Sequence, residues 1–301
     1  MELFHEPVKI VIIGAGAIGR AIGLLVSSAI ETHLVVRSDK YADILNRGWK
    51  YTGIKEGFIN IKTYAGLQEN LDETLIVIAS KAYDLEDIVI NIKDKLFPSS
   101  YVLAIQNGYG IKDILAKHLE GNYFTAIASI GATILKDNVL GYYGGGLRLE
   151  ENKLSLWLKE TGIKASLKVS LVKDIDYEIW RKLVINCTLN PLSVLFEADN
   201  KTIAAEELNL LKENLMEEIK LVARLEGYEI ATSVGDLNKY VSSDNKTSML
   251  QDYLKGKDSE LDFMNGAILK LGEKHGIRLP ANKLLYELVK SKFLLSKKQR
   301  K

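Results

Sequence analysis

Residues 8–20, VKIVIIGAGAIGR, constrain this chain more than any other stretch. Their first half is almost wholly apolar and β-branched, as a strand covered on both faces must be. Gly14, Gly16 and Gly19 follow at once in the spacing G-x-G-x-x-G, and an amphipathic segment over residues 17–28 starts inside them. A strand that turns tightly into a helix needs its first glycine for the turn. The second admits a pyrophosphate to the backbone, and the third lets the helix pack closely, with its N-terminal amides facing the anion. Gly14, Ala15, Gly16, Ala17, Ile18 and Gly19 are therefore candidate cofactor residues, although such a triplet can also serve a purely structural turn.

The surrounding pattern favours the first reading. Short apolar runs recur at residues 33–36, 75–79, 101–105 and 124–130, with helix-length amphipathic segments at 41–47, 85–95 and 111–119 between them. Strand and helix alternate, which predicts an α/β layer around a parallel sheet with right-handed crossovers. Residues 135–150 carry Asp137-Asn138 and Gly144-Gly145-Gly146 between apolar positions and predict antiparallel strands at the edge of that sheet. Beyond about residue 172 the texture changes. Segments of helical period run over 175–188, 206–226, 248–254, 260–274 and 282–294, with Gly227 and Gly276 placed as helix ends. The expectation is an N-terminal Rossmann-type dinucleotide-binding domain over residues 1–172 and an all-helical substrate domain over 173–301.

Composition narrows the partners. A net charge of +1 gives no global attraction for nucleic acid. The single cysteine, Cys187, cannot form an internal disulfide, and the four histidines show no metal-ligand spacing, so no metal is expected. Residues 10–30 are apolar enough to suggest a membrane span, but Arg20 and four glycines within them argue against it. Glu2 and Glu6 stand where an export signal would want basic residues, so a soluble cytoplasmic protein is expected. The basic residues 296–301 read as a solvated terminus. The oligomeric state stays open, a homodimer being compatible with everything above.

Four further stretches carry chemistry. At the end of the second strand an NAD site wants a carboxylate and an NADP site a cation. This chain has Val36-Arg37-Ser38, with Lys40 close behind, which favours NADP(H) over the lesser alternative that Arg37 is an ordinary surface cation. Lys182, Asn186 and Asn190 are spaced i, i+4, i+8 and so share one face of a mainly apolar helix. An ammonium and two amides suit a polar ligand, while the bland alternative is a snorkelling lysine. Pro191 disfavours helical geometry at Asn190, so this helix is expected to end or kink there. Gln106-Asn107-Gly108 follows a strand at the carboxyl edge, as a ligand loop or a plain turn. Residues 247–266, which include Ser248 and Glu260, are unusually polar for a helical region and could be capping and surface chemistry.

Together these blocks resemble the ketopantoate reductase (2-dehydropantoate 2-reductase) family. The likeness covers nearly the whole chain: the glycine motif, Gln106-Asn107-Gly108, W-x-K-L-x-x-N-x-x-x-N from Trp180 to Asn190, and the S-M-L-Q-D to E-x-D-x-x-N-G block from Ser248 to Gly266. It implies NADPH-dependent reduction of 2-dehydropantoate to pantoate, on the route to pantothenate and coenzyme A. Lys182 is then the general acid, and Asn107, Asn186, Asn190 and Ser248 line the substrate site. Glu260 sits near the lysine and the substrate hydroxyl, and Asn107, Glu260, Arg37 and Lys81 also face the cofactor. The chain departs from the family at Lys257, where arginine is common, and at Tyr142-Tyr143-Gly144, where many members have a histidine before the glycine. Another two-domain 2-keto or 3-hydroxy acid dehydrogenase would share the glycine motif but not the four blocks in order. A non-catalytic NADP(H)-sensing protein would have no need of Lys182.

Overall fold

The computed structural model describes residues 4–67, 70–240 and 245–299. Glu2 and the basic Arg300 and Lys301 lie outside them. The chain divides into two units, one of Met1–Gln106 with Ile111–Ile175, the other of Asn107–Gly110 with Asp176–Lys301.

In the first unit, β1 (Lys9–Ile13) leads through the glycines into α1 (Ala17–Val26), β2 (Glu31–Val36) and α2 (Asp39–Asn46). A small insertion follows, made of β3 (Trp49–Gly53), β4 (Gly57–Ile59) and β5 (Thr63–Ala65). Next come β6 (Thr74–Ile78), α3 (Leu85–Ile92), β7 (Tyr101–Ala104), α4 (Ile111–His118) and β8 (Tyr123–Thr125). The unit closes with β9 (Ile127–Ile134), β10 (Leu140–Glu150), α5 (Lys153–Ala165) and β11 (Lys168–Val172).

The main sheet has the order β5-β2-β1-β6-β7-β8, with every neighbouring pair parallel. Ile13 pairs with Val35 on one side and Ile78 on the other, so strand order reverses at β1 and opens a crevice at its carboxyl end. The buried apolar strands β1, β6 and β7 explain why their runs show no alternation.

Residues 135–150 do not form the edge of that sheet, as their pattern suggested. They belong to a second sheet, in which β10 pairs antiparallel with β9 along its length and parallel with β3 and β11. Its glycines explain the crowding: a Cβ on Gly145 would overlap the Ser129 carbonyl, and one on Gly146 the Lys168 carbonyl. The predicted turn is present, with Asp137 and Asn138 in left-handed conformation at φ 55° and 61°.

Helix α1 shares one core with residues of both sheets, among them Ile12, Leu34, Trp49, Leu140 and Leu149. Burial on so many sides accounts for the membrane-like run. Arg20 is fully buried there: its guanidinium donates to Asn138 Oδ1 at 2.7 Å and to the Asn138 carbonyl at 2.8 Å, and lies 4.5 Å from the Trp49 ring centroid. Desolvation lowers its pKa from the ordinary arginine value. Among the described residues no helix is long and apolar enough to cross a membrane.

The second unit is helical. It contains α6 (Ile175–Phe196), α7 (Asn200–Ile203), α8 (Asn209–Leu225), α9 (Val234–Tyr240), α10 (Ser248–Leu254), α11 (Asn265–Lys274) and α12 (Pro280–Gln299). Trp180, Val184, Cys187, Leu215, Ile219, Leu250, Ile268 and Val289 lie in its core. The continuous helix expected over 260–274 is instead broken. A 3-10 turn at Leu261–Phe263 precedes α11, and Met264, at φ −107° and ψ −98°, separates the two.

Candidate active site

The glycine turn has the form that a bound pyrophosphate requires. Gly14 sits at φ +108°, where a side chain would be strained, and a Cβ there would lie 2.8 Å from the Ser80 nitrogen. A Cβ on Gly19 would overlap the Gly14 carbonyl oxygen, so α1 packs directly on the turn. At Gly16, by contrast, nothing lies within 4 Å of where a Cβ would be. Gly16 is the N-cap of α1, no side chain caps it, and the first turn holds no acidic residue. The positive end of the helix thus faces open space beside a backbone that an anion can approach. These residues fit a dinucleotide phosphate.

The two strands beside β1 supply the flanks of this turn. The Gly14 amide donates to the Val35 carbonyl at 2.9 Å, and the Ala79 amide donates to the Ile13 carbonyl at 2.8 Å. Gln106 fixes the exit of β6, its Nε2 donating to the carbonyls of Ile78 at 2.7 Å and Ser80 at 3.2 Å. Lys81 follows immediately, half-buried, at the N-cap of the 3-10 turn Ala82–Asp84. On the opposite flank Arg37 leaves β2 with its side chain 73% exposed, and its Nη2 is 2.6 Å from Asp84 Oδ1. The Asp84 carboxylate raises the Arg37 pKa above the ordinary value.

In the second unit Lys182, Asn186 and Asn190 all lie on α6, the first two half-buried and the third buried. Trp180 anchors the helix, its ring centroid 5.1 Å from that of Tyr109 and 6.3 Å from that of Tyr228. The helix does not end at Asn190, as Pro191 suggested, but runs on to Phe196. A proline at 191 cannot donate to the carbonyl four residues back, that of Cys187. Asn265 replaces the missing donor: its Nδ2 reaches that carbonyl at 2.8 Å from a fully buried position. Asn265 is fixed in turn by Asn282, which is held by Glu218 and the Leu215 carbonyl. Sequence reasoning took Asn265 as part of a motif without seeing this role. A proline inside a long apolar period, with a lone buried-type amide elsewhere, was the available signal.

Two links tie other candidates to this helix, and a third ties Asn107 to the turn after Glu260. Asn190 Nδ2 lies 3.8 Å from Met264 Sδ, beside the 3-10 turn capped by the buried Glu260. Ser193 donates to the Asn190 carbonyl at 2.7 Å and lies 2.5 Å from the Thr247 hydroxyl. Thr247 caps α10 by accepting the Leu250 amide at 3.1 Å, which sets the exposed Ser248 in the first turn. Tyr109 donates its amide to the Phe263 carbonyl at 2.8 Å, which holds Asn107, two residues earlier, to the helical unit. The glycine turn, Arg37 and Lys81 belong to the first unit; Lys182, Asn186, Asn190, Ser248, Glu260 and Asn107 belong to the second.

Cys187, although next to Asn186, is fully buried, and desolvation pushes its thiol well above the ordinary range. It is a packing residue. Lys257 is exposed; Tyr142 is buried, which raises its pKa, whereas Tyr143 is exposed.

Two family models described as ketopantoate reductase PanE/ApbA and its C-terminal part match residues 10–151 and 174–293. The 2-dehydropantoate 2-reductase of Pyrococcus abyssi is 30% identical over 97% of this chain and 100% of its own length. The chain belongs to the ketopantoate reductase family. Its members are NADP-dependent oxidoreductases acting on a CH–OH group. The enzyme of that name from Archaeoglobus fulgidus is 29% identical over 94% of this chain and 97% of its own. A ketopantoate reductase of this family from Ralstonia eutropha JMP134 has the same fold, with a TM-score of 0.86 and 24% identity over 96% of this chain and 99% of that one. D-mandelate dehydrogenase, solved with NADH and anilino(oxo)acetate, matches with a TM-score of 0.86 and 24% identity, over the same shares of the two chains.

Proposed function

We propose that this chain reduces 2-dehydropantoate to pantoate with NADPH, as a cytoplasmic enzyme able to form a homodimer. In this reading residues 1–172 hold the dinucleotide and 173–301, joined by Asn107, the substrate. The observation that carries it is the gathering of Asn107, Asn186, Asn190, Ser248 and Glu260 with Lys182 in one helical unit, through the Met264, Thr247 and Phe263 links. Family membership supplies the substrate class.

The glycine turn from Gly14 to Gly19 receives the pyrophosphate on backbone amides, while Arg37 and Lys81 offer cations to the remaining phosphate. Bound NADPH supplies the hydride. Reduction of a ketone leaves negative charge on its oxygen, and Lys182 provides an ammonium to neutralise that charge and donate the proton. Asn186, Asn190 and Asn107 bind polar groups of the substrate without adding charge, and the Ser248 hydroxyl serves its carboxylate. The buried Glu260 accepts the hydroxyl proton of the product as a hydrogen bond and orients it.

The direct test is NADPH oxidation by the purified protein, with ketopantoate set against a panel of other 2-keto acids. Ketopantoate is expected to give the highest kcat/KM, by at least about tenfold, a margin that binding of its extra hydroxyl can supply. Turnover no faster than that of simpler 2-keto acids would remove this substrate and leave a related dehydrogenase. Binding of NADPH with no turnover of any acid would mark a sensor.

A further inference from the structure

We propose that Asp84 is a specificity-determining residue for the nicotinamide cofactor. Its carboxylate competes with the 2′-phosphate of NADPH for Arg37 and gives the ribose hydroxyls of NADH an acceptor, so that the enzyme uses both cofactors. The inference rests on the dinucleotide-binding reading of the glycine turn and refines its choice of cofactor.

The position of the pair carries the argument. Arg37 leaves the carboxyl end of β2 and Asp84 closes the short turn after β6, and these two strands flank β1 on either side. Their ion pair, at 2.6 Å, therefore reaches across from one flank of the glycine turn to the other. A dinucleotide phosphate seated at Gly16 brings its adenosine ribose toward this pair, because the ribose is read by the residues that end the second strand. An NAD site places a carboxylate at that end of β2. Here the strand ends in an arginine, and a carboxylate arrives instead from the turn after β6.

The charges then decide how strongly the arginine reads phosphate. Asp84 is 22% exposed, against 73% for Arg37, so the acid is the more sheltered member and the arginine the one open to an incoming phosphate. Asp84 is the largest cause of the raised Arg37 pKa, and Tyr83 and Asp87 add smaller effects in the same sense. The guanidinium is thus already paired with the Asp84 carboxylate before any cofactor arrives. A 2′-phosphate, with close to two negative charges at neutral pH, must draw Arg37 away from Asp84 and then tolerate the acid nearby. A 2′-hydroxyl meets neither cost and can donate to the carboxylate. The Asp84 side chain caps no helix, although its residue is the N-cap of α3, so replacing it removes no capping bond.

Dissociation constants for NADPH and NADH, measured by calorimetry on the full chain at low and high salt, test this. The wild type is expected to prefer NADPH by less than about tenfold, and Asp84→Asn to tighten NADPH by about three- to tenfold while leaving NADH unchanged or weaker. That gain should shrink as salt rises. Asp84→Ser serves as the second variant, with an unchanged melting temperature as the folding control. Arg37→Ala should weaken NADPH by about tenfold or more and leave NADH ahead. If Asp84→Asn weakens NADPH, the acid aligns the arginine for phosphate and the proposal is overturned; no change in either constant overturns it as well. If Arg37→Ala spares NADPH, the assignment of the arginine to the 2′-phosphate fails by itself, whatever Asp84 does.

Discussion

Lys182→Ala is expected to lower kcat by about a hundred- to ten-thousand-fold, the range that a positioned proton donor contributes. The dissociation constant for NADPH should stay within about twofold of wild type, because the residues that fit the dinucleotide phosphates lie in the other unit. Alanine is the best helix former, so α6 itself should be undisturbed. Lys182→Arg separates two roles the ammonium could play. Arginine keeps the positive charge but cannot release its proton at neutral pH, so a true acid role predicts little recovery of kcat. Recovery to near wild type in the arginine variant would mean that Lys182 acts by charge alone. Unchanged turnover in the alanine variant would remove it from the chemistry altogether.

The parts of this molecule legible in sequence are those where local chemistry and tertiary packing agree. The first strand, the glycine turn and α1 were readable because a buried parallel strand, a phosphate turn and a helix start each leave a distinct residue pattern. The second sheet was not readable as such. Residues 135–150 showed strand and turn signals, but nothing in them says that β10 would pair with β3 and β11 rather than extend the first sheet. Pairing partners far apart in the chain are set by packing of whole layers, and Gly145 and Gly146 matter only once their neighbours are known. The short strands β3, β4 and β5 were missed because three to five residues leave too little periodicity.

The candidate site divides in the same way. Lys182, Asn186 and Asn190 could be placed on one face from spacing alone, and the structure keeps them on one helix. Arg37 was read as a cation for phosphate, yet its partner Asp84 lies 47 residues away in the chain and carried no signal until β2 and β6 were seen to flank β1. Of the two outcomes Pro191 suggested, an end or a kink, the end does not occur, because α6 runs on to Phe196. Propensity prices the lost hydrogen bond, but it cannot see a donor arriving from another helix.

That substitution of one donor for another yields the sharpest test of how the substrate helix is held. Asn265→Ala should leave the buried Cys187 carbonyl without a partner and strip Asn282 of one of its bonds, at a cost of about 2 to 4 kcal/mol in the helical unit. Thermal unfolding of that unit is expected to fall by roughly 5 to 10 °C. Pro191→Ala alone returns an amide that can share the Cys187 carbonyl with Asn265, and since that carbonyl is already satisfied the gain should be small. The double variant is the informative one: the restored amide at 191 can now satisfy Cys187, and the pair should be less destabilised than the sum of the single changes by about 1 kcal/mol or more. Strict additivity would show that Asn265 stabilises the unit through Asn282 and not through the gap that the proline leaves. Because Asn186 and Asn190 bracket the Cys187 carbonyl on the same helix, Asn265→Ala should also raise KM for the keto acid more than it lowers kcat.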